Sequence, residues 1–137
     1  MTREENITAQ QRFREAINSG DFGIFDEVVA PDALDHDPAP GQERGPAGFR
    51  SFFGELRTAF PDLHVSVEQL VADDEHVAFA YTVTGTHKGS FLGIAPTGRQ
   101  VRARGVQLGK FASGKLVERW GSSDLLGILQ QLGHAPI

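Results

Sequence analysis

The triplet Asp35-His36-Asp37, within "DALDHDPAP", sets an imidazole between two carboxylates. Imidazole exchanges protons near neutral pH, and adjacent carboxylates favour its charged form. His36 therefore reads either as a general acid or as a turn residue ahead of Pro38. His87, closing "HVAFAYTVTGTH", shares a strand face with Val77, Tyr81 and Val83. It reads either as a base or hydrogen-bond partner for a ligand oxygen, or as a loop-end histidine before "KGS". Arg119 alternates with Val117 and Gly121. Its guanidinium cannot serve as a base at neutral pH, but it can hold an enolate, a phenolate or a carboxylate; the plainer reading is a surface strand arginine. Gln107 can orient a carbonyl or sit as a satisfied polar core residue. Tyr81 can donate to a ligand oxygen. Asp124, just before "LLGILQQLG", reads first as a helix cap and second as a carboxylate within reach of a ligand.

Several chemistries are excluded or disfavoured. No second histidine or carboxylate stands at a helical or hairpin ligand spacing from His36, so no metal site is expected. With no cysteine in 137 residues, thiol nucleophiles and disulfides are ruled out. "GIAPTGRQ" lacks the Lys-Ser/Thr pair of a phosphate loop, no G-x-S-x-G elbow exists, and no Gly-rich strand-to-helix turn suggests a dinucleotide. A net charge of -5 disfavours nucleic acid. The local exception, "GRQVRARG", puts Arg102 and Arg104 on one strand face, as a solvated or subunit-facing surface would. No apolar run approaches the roughly 20 residues that span a bilayer. The opening "MTREENITAQ" is too charged for a signal peptide, so a cytoplasmic protein without membrane contact is expected.

These residues need elements to position them. Thr2 and Glu5 have capping-box spacing, and Ile7, Phe13, Ala16 and Ile17 then recur on one helical face. After "NSGD", Asp21 is expected to cap a short helix with Phe22, Phe25, Val28 and Val29 inward, stopped by Pro31. "GPAGFRSFFGELRTAF" starts at Pro46 and carries a core stripe of Phe49, Phe52, Phe53, Leu56 and Phe60. Asp62 is expected to anchor the following turn.

Beyond Pro61 the period becomes 2: "LHVSVEQLV", "HVAFAYTVTGTH", "QVRARGVQLGKF" and "KLVERWG" read as strands, the last stopping after Trp120. Trp120 faces away from Gly121, toward packing or a subunit contact. A turn at "ASGK" joins the last two strands. A final helix carries Leu125, Leu126, Leu129 and Leu132, with Gly133 as its stop. Helices followed by hairpin-linked strands make one α+β domain over residues 1–137. A curved antiparallel sheet with helices over one face leaves an apolar hollow. Phe79, Tyr81, Val83 and the helical phenylalanines, Phe53 among them, would line it and contact a flat, mostly apolar molecule.

Four stretches, "NSGDFGIFDEVVAPDALDHDP", "FRSFFGELRTAFPDLHVSVE", "VTGTHKGSFLGIAPTGRQV" and "SGKLVERWGSSDLLGILQQLG", stand in the order and at the spacing of the SnoaL-like polyketide cyclases, of the NTF2-like superfamily. The chain resembles that family over nearly its whole length. The resemblance implies a cone-shaped barrel: N-terminal helices packed on a curved, mostly antiparallel sheet, with a short C-terminal helix. It implies no metal or organic cofactor, a polyketide-like ligand, and a homodimer or homotetramer associated through the sheet. It further implies intramolecular aldol closure, or in sister enzymes cofactor-independent hydroxylation of a polycyclic ketone. In those cyclases an acid-base Asp follows the Trp of an "EHWD"-like run, supported by a His on the neighbouring strand. The matching positions here are Gly121 and Gln107, neither of which can move a proton. Arg119 and Gln107 would suit stabilising an anion, while a carrier of apolar ligands without catalysis, or a protein-interaction domain, is the alternative.

Overall fold

The computed structural model describes residues 2–134. The chain order is α1 (Arg3–Ser19), α2 (Ile24–Val28), β1 (Val29–Asp35), α3 (Pro46–Ala59), β2 (His64–Ala72), β3 (His76–Thr86), β4 (Gln100–Ala112), β5 (Lys115–Ser123) and α4 (Leu125–Gln131). One sheet runs β1-β5-β4-β3-β2. Every pair is antiparallel except β1 with β5. The expected α+β layout, helices over a mostly antiparallel sheet with a short C-terminal helix, is present. No helix among the described residues is long and apolar enough to cross a membrane.

Local chemistry explains the elements. Thr2 Oγ1 accepts from the Glu5 N–H at 3.1 Å, and Gly20 ends α1 in the left-handed region with φ 78°. Phe13, Ala16 and Ile17 of α1 are buried, and Phe13 meets Phe25 at 5.0 Å and Phe49 at 5.3 Å between ring centroids. Pro46 opens α3 where its missing N–H costs nothing. Of the α3 stripe, Phe49 and Phe60 are core, whereas Phe52 remains 37 % exposed at the open end of the helix-sheet layer. Asp62 reaches further than a local turn: its carboxylate accepts from both Thr86 N (2.6 Å) and Thr86 Oγ1 (2.7 Å), tying the end of α3 to the end of β3. The Thr86 hydroxyl, and then its N–H, hold that carboxyl below its ordinary value.

The region after α1 departs from the sequence reading. Asp21 does not cap α2; Gly23 stands at its N-cap with no side-chain bond. The helix ends at Val28, and Val29–Asp35 forms a strand that the sequence reading lacks. Pro31 sits inside this strand without penalty, because β1 is at the sheet edge and pairs only with β5. At the opposite edge, the Asn18 side chain closes β2 by accepting from Val65 N (2.7 Å) and donating to Val65 O (3.0 Å). A register shift between Val67 and Gln69 then turns Leu70 inward opposite Phe79.

β5 runs on past Trp120 to Ser123, since Gly121 pairs with Gln107 and Ser123 with Gly105. The tight β4-β5 turn carries positive φ at both Ser113 (52°) and Gly114 (78°), the handedness such hairpins require. Asp124 Oδ1 accepts from Gly127 N at 2.8 Å and starts α4, and Gly133 follows it with φ 78°. Of the expected leucine stripe, only Leu132 is fully buried; Leu125 and Leu126 stay exposed.

Candidate functional site

Parallel pairing of β1 with β5 sets Asp35 beside Arg119 and Leu34 beside Glu118. Strand alternation then separates three consecutive residues. Asp35 and Asp37 face the helix side and line a cavity of about 120 Å³, while His36 faces outward. The His36 ring lies flat on Trp120 (4.5 Å, 7°), with Nε2 3.1 Å from Glu118 Oε1. The carboxylates expected to act on His36 therefore point to the other side of the sheet.

The polar groups at the cavity and directly behind its wall form one network. Arg119 Nη1 donates to both oxygens of Asp35, at 3.0 and 3.1 Å, and Arg119 Nε donates to Gln107 Oε1 at 2.8 Å. Asp35 also accepts from Gln42 Nε2 (3.1 Å) and from the Asp37 N–H (2.9 Å). The Asp35 side chain is only 8 % exposed and that of Arg119 17 %, so this ion pair is largely withdrawn from water. Arg119 Nη2 has no hydrogen-bond partner among the described residues. It lies over Gly121: a Cβ built there would be 2.5 Å from Nη2. The guanidinium thus occupies the volume into which a side chain at position 121 would project.

Because an arginine only donates, Gln107 must turn its oxygen toward Arg119. Its Nε2 is then a buried donor without a partner. Asp37 Oδ2 accepts from the Gly121 N–H at 2.8 Å. The walls are aromatic: Phe49, Phe53 and the half-exposed Phe52. Among the described residues no three His, Asp or Glu side chains converge as metal ligands would.

The other expected site residues lie elsewhere. His87 is fully buried against Phe60, its Nδ1 accepting from Thr97 N (3.1 Å); it pins the loop between β3 and β4 and does not border the cavity. Its Nε2 has no partner. Phe79 is core, and the Tyr81 hydroxyl occupies the place of a Gly105 side chain, away from the cavity lining. The Asp124 carboxylate caps α4. Of the expected set, Arg119, Gln107 and Phe53 come together. The sequence reading missed Asp35, Asp37 and Gln42 as site residues; a strand ending at Asp35, with the chain still extended through His36 beside Arg119, would have found the two aspartates on one side.

The open space is accordingly smaller than expected. About 120 Å³ is well below the roughly 300–1,000 Å³ of a whole small-molecule pocket, and suits one ring or one dicarbonyl end. A wider groove of about 750 Å³ runs between α1 and β2, but it is open to solvent and remote from this network. Its Arg12 is already paired with Glu15 and Glu27.

The model of the SnoaL-like polyketide cyclase family matches residues 7–132. The chain belongs to this family. It is 26% identical over 137 residues to the aklanonic acid methyl ester cyclase AcmA of Streptomyces galilaeus, covering 95% of this chain and 92% of AcmA. TsrD of Streptomyces laurentii superposes with a TM-score of 0.89 at 27% identity, covering 98% of each chain. AclR of S. galilaeus, a candidate hydroxylase, gives a TM-score of 0.84 at 30% identity, covering 98% of this chain and 85% of AclR. The two positions matched to the SnoaL-like acid-base Asp and its His, Gly121 and Gln107, are cross-strand partners, and both adjoin Arg119.

Proposed function

We propose that this chain is an enzyme that converts a polyketide-type ketone to its enolate and closes a ring on it by intramolecular aldol addition. One observation carries the reading: the free Nη2 of Arg119, fixed over Gly121 by Asp35 and Gln107 and facing a phenylalanine-walled cavity. A guanidinium held in place by a buried carboxylate does not need to reorganise as an oxyanion develops, which is where electrostatic stabilisation contributes most. Gln107, buried behind the cavity lining, supports the same reading by fixing Arg119 Nε through its Oε1. A ligand ring enters between Phe49 and Phe53, and the rest of a polycyclic substrate rests outside the small cavity against Phe52. Subunits associate through the outer sheet face, where exposed Val71 and Val106 flank Ala78 and Ala80.

A family relative named as a hydroxylase supports a second outcome from the same enolate, oxygen insertion. The test is turnover of aromatic β-keto esters, including aklanonic acid methyl ester, followed by liquid chromatography and mass spectrometry with and without oxygen. Ring closure gives an isomer or its dehydration product in either atmosphere; reaction of the enolate with oxygen adds both its atoms as a hydroperoxide, which an added thiol reduces to the alcohol and water, and stops without oxygen. Arg119→Gln should lower kcat/KM about 10²- to 10³-fold. Tight binding with no turnover by the parent protein would instead make it a carrier.

A further inference from the structure

An arginine stabilises an enolate but does not make one, and the histidines singled out by the sequence stand outside the cavity. We infer that Asp37 is the carboxylate that takes the proton from the carbon to be joined and returns it to the new alkoxide. The inference rests on the enolate reading of Arg119 and adds the base that reading requires.

Three observations carry it. First, β1 continues past its last paired residue alongside β5, with His36 N donating to Arg119 O at 2.8 Å. That step brings Asp37 to Gly121, whose N–H holds Oδ2 at 2.8 Å. A carboxylate from the neighbouring strand thus stands at the one position of β5 that has no side chain of its own. Second, only three charged side chains line the cavity among the described residues: Asp35, Asp37 and Arg119. Asp35 has both oxygens on Arg119, and each also accepts a further donor, Gln42 Nε2 or Asp37 N. Arg119 has no lone pair to offer. Asp37 is solvent-exposed at the rim of the cavity; its Oδ1 has no hydrogen-bond partner among the described residues and is the basic atom left along the lining. Third, Asp37 and the free Nη2 of Arg119 adjoin the same residue, Gly121, one at its N–H and the other where its Cβ would stand. A base and an oxyanion donor next to one residue match the two ends of a C–H beside a carbonyl.

The step balances without a co-reactant. Asp37 Oδ1 takes the α-proton, the C–H pair becomes the C=C of the enolate, and the carbonyl oxygen gains its charge opposite Arg119 Nη2. The enolate carbon then bonds to the second carbonyl carbon, whose oxygen receives the π pair and then the proton from Asp37. Asp37 is a carboxylate again at the end. A carboxylate is a modest base, so the chemistry selects a carbon flanked by two carbonyls, as in a β-keto ester.

The test is hydrogen exchange at a carbon acid whose dicarbonyl end fits the cavity, its ring resting outside against Phe52. Loss of the C2–H signal of ethyl 2-phenylacetoacetate in D2O is followed by ¹H NMR against the buffer rate. The parent protein and a His36→Gln variant, altered on the opposite sheet face, should accelerate exchange equally. Asp37→Asn keeps an oxygen for the Gly121 N–H yet cannot accept the proton, and should slow exchange about 100-fold or more. Asp37→Ala should recover part of the rate with added formate, a readout that a purely structural role would not move. Exchange in Asp37→Asn at the parent rate, with Arg119→Gln slowed, overturns the role of Asp37 and leaves the enolate reading standing. Should Asp37→Asn fail to fold, a formate-independent rate in Asp37→Ala overturns the inference by itself. No acceleration by the parent protein overturns both.

Discussion

Adding a single methyl group at Gly121 tests the central geometry. A Cβ there meets Arg119 Nη2 at 2.5 Å, Cζ at 2.9 Å and Nη1 at 3.2 Å. Ordinary contact is roughly 3.5–4.0 Å, so the guanidinium has to retreat by about 1 Å. It is held by Asp35 at 3.0 and 3.1 Å and by Gln107 at 2.8 Å, and such a retreat takes those bonds to the limit of hydrogen bonding. Weakening one charge-assisted bond costs about 1.5–3 kcal/mol. Leaving a buried carboxylate wholly without its cation would cost about 3–5 kcal/mol. Partial loss, with Arg119 still 17 % exposed, falls at about 2–3 kcal/mol. Gly→Ala inside a strand would otherwise stabilise by about 0.5–1 kcal/mol, so the sign of the effect is itself diagnostic.

For a domain of this size, Gly121→Ala should lower Tm by roughly 6–12 °C. The assay is thermal unfolding of Gly121→Ala, Arg119→Ala and the double variant. With the guanidinium gone, the methyl group should cost under about 0.5 kcal/mol, which makes the coupling about 2 kcal/mol. A Gly121→Ala protein that melts with the parent, with no coupling to Arg119, would refute the placement of the guanidinium over Gly121 and the reading of Nη2 as an oxyanion donor.

Two other perturbations probe the frame that holds the site. The Asp62 carboxyl is held below its ordinary value of 3.8, chiefly by the Thr86 hydroxyl, so its contribution is present above that value and is lost as pH falls through the lower folded-state value. Asp62→Asn should therefore melt below the parent at pH 6, and the gap should close from about pH 4 downward; a gap independent of pH would count against it. Asn18→Ala frees the N–H and C=O of Val65 on the β2 edge; it should cost about 1–2 kcal/mol, read by chemical denaturation, and increase concentration-dependent light scattering. An unchanged denaturation midpoint would show that the edge has no need of Asn18.

Legibility from sequence followed the range of the interactions. α1 and α3 were readable because caps and the 3.6-residue stripe are local, and the β4-β5 hairpin because its turn fixes its own pairing. The parity of β5 was readable too: Arg119 and Gly121 share the inner face and Trp120 the outer. β1 was hidden because Pro31 reads as a helix stop, and because its partner, Glu118–Arg119, lies far along the chain in a parallel pairing that no turn announces. That omission had a chemical consequence. Without the strand, His36 was the group of interest and Asp35 and Asp37 its modifiers, whereas the fold turns Asp35 and Asp37 toward the cavity, Asp37 at its exposed rim, and the imidazole onto Trp120. For Phe79 and Tyr81 the inward face was legible but not the remaining volume, which depends on how side chains of β3 and β4 fill space above Gly105.

In the proposed site, the glycine at 121 is what gives the arginine its room. A side chain at 121 and the guanidinium of Arg119 claim the same few ångströms, so the two are alternatives and not additions. A carboxylate placed there would meet Nη2 directly, and the resulting ion pair would quench both groups. Bare backbone at 121 leaves this volume to Nη2, and the Gly121 N–H holds Asp37. In the proposed reaction the acid, just beyond the end of β1, and the cation, on β5, act from neighbouring segments tied together by the Asp35–Arg119 contact. In the sequence such a site looks like the loss of an acid; in the fold, parallel pairing brings another carboxylate to the same place.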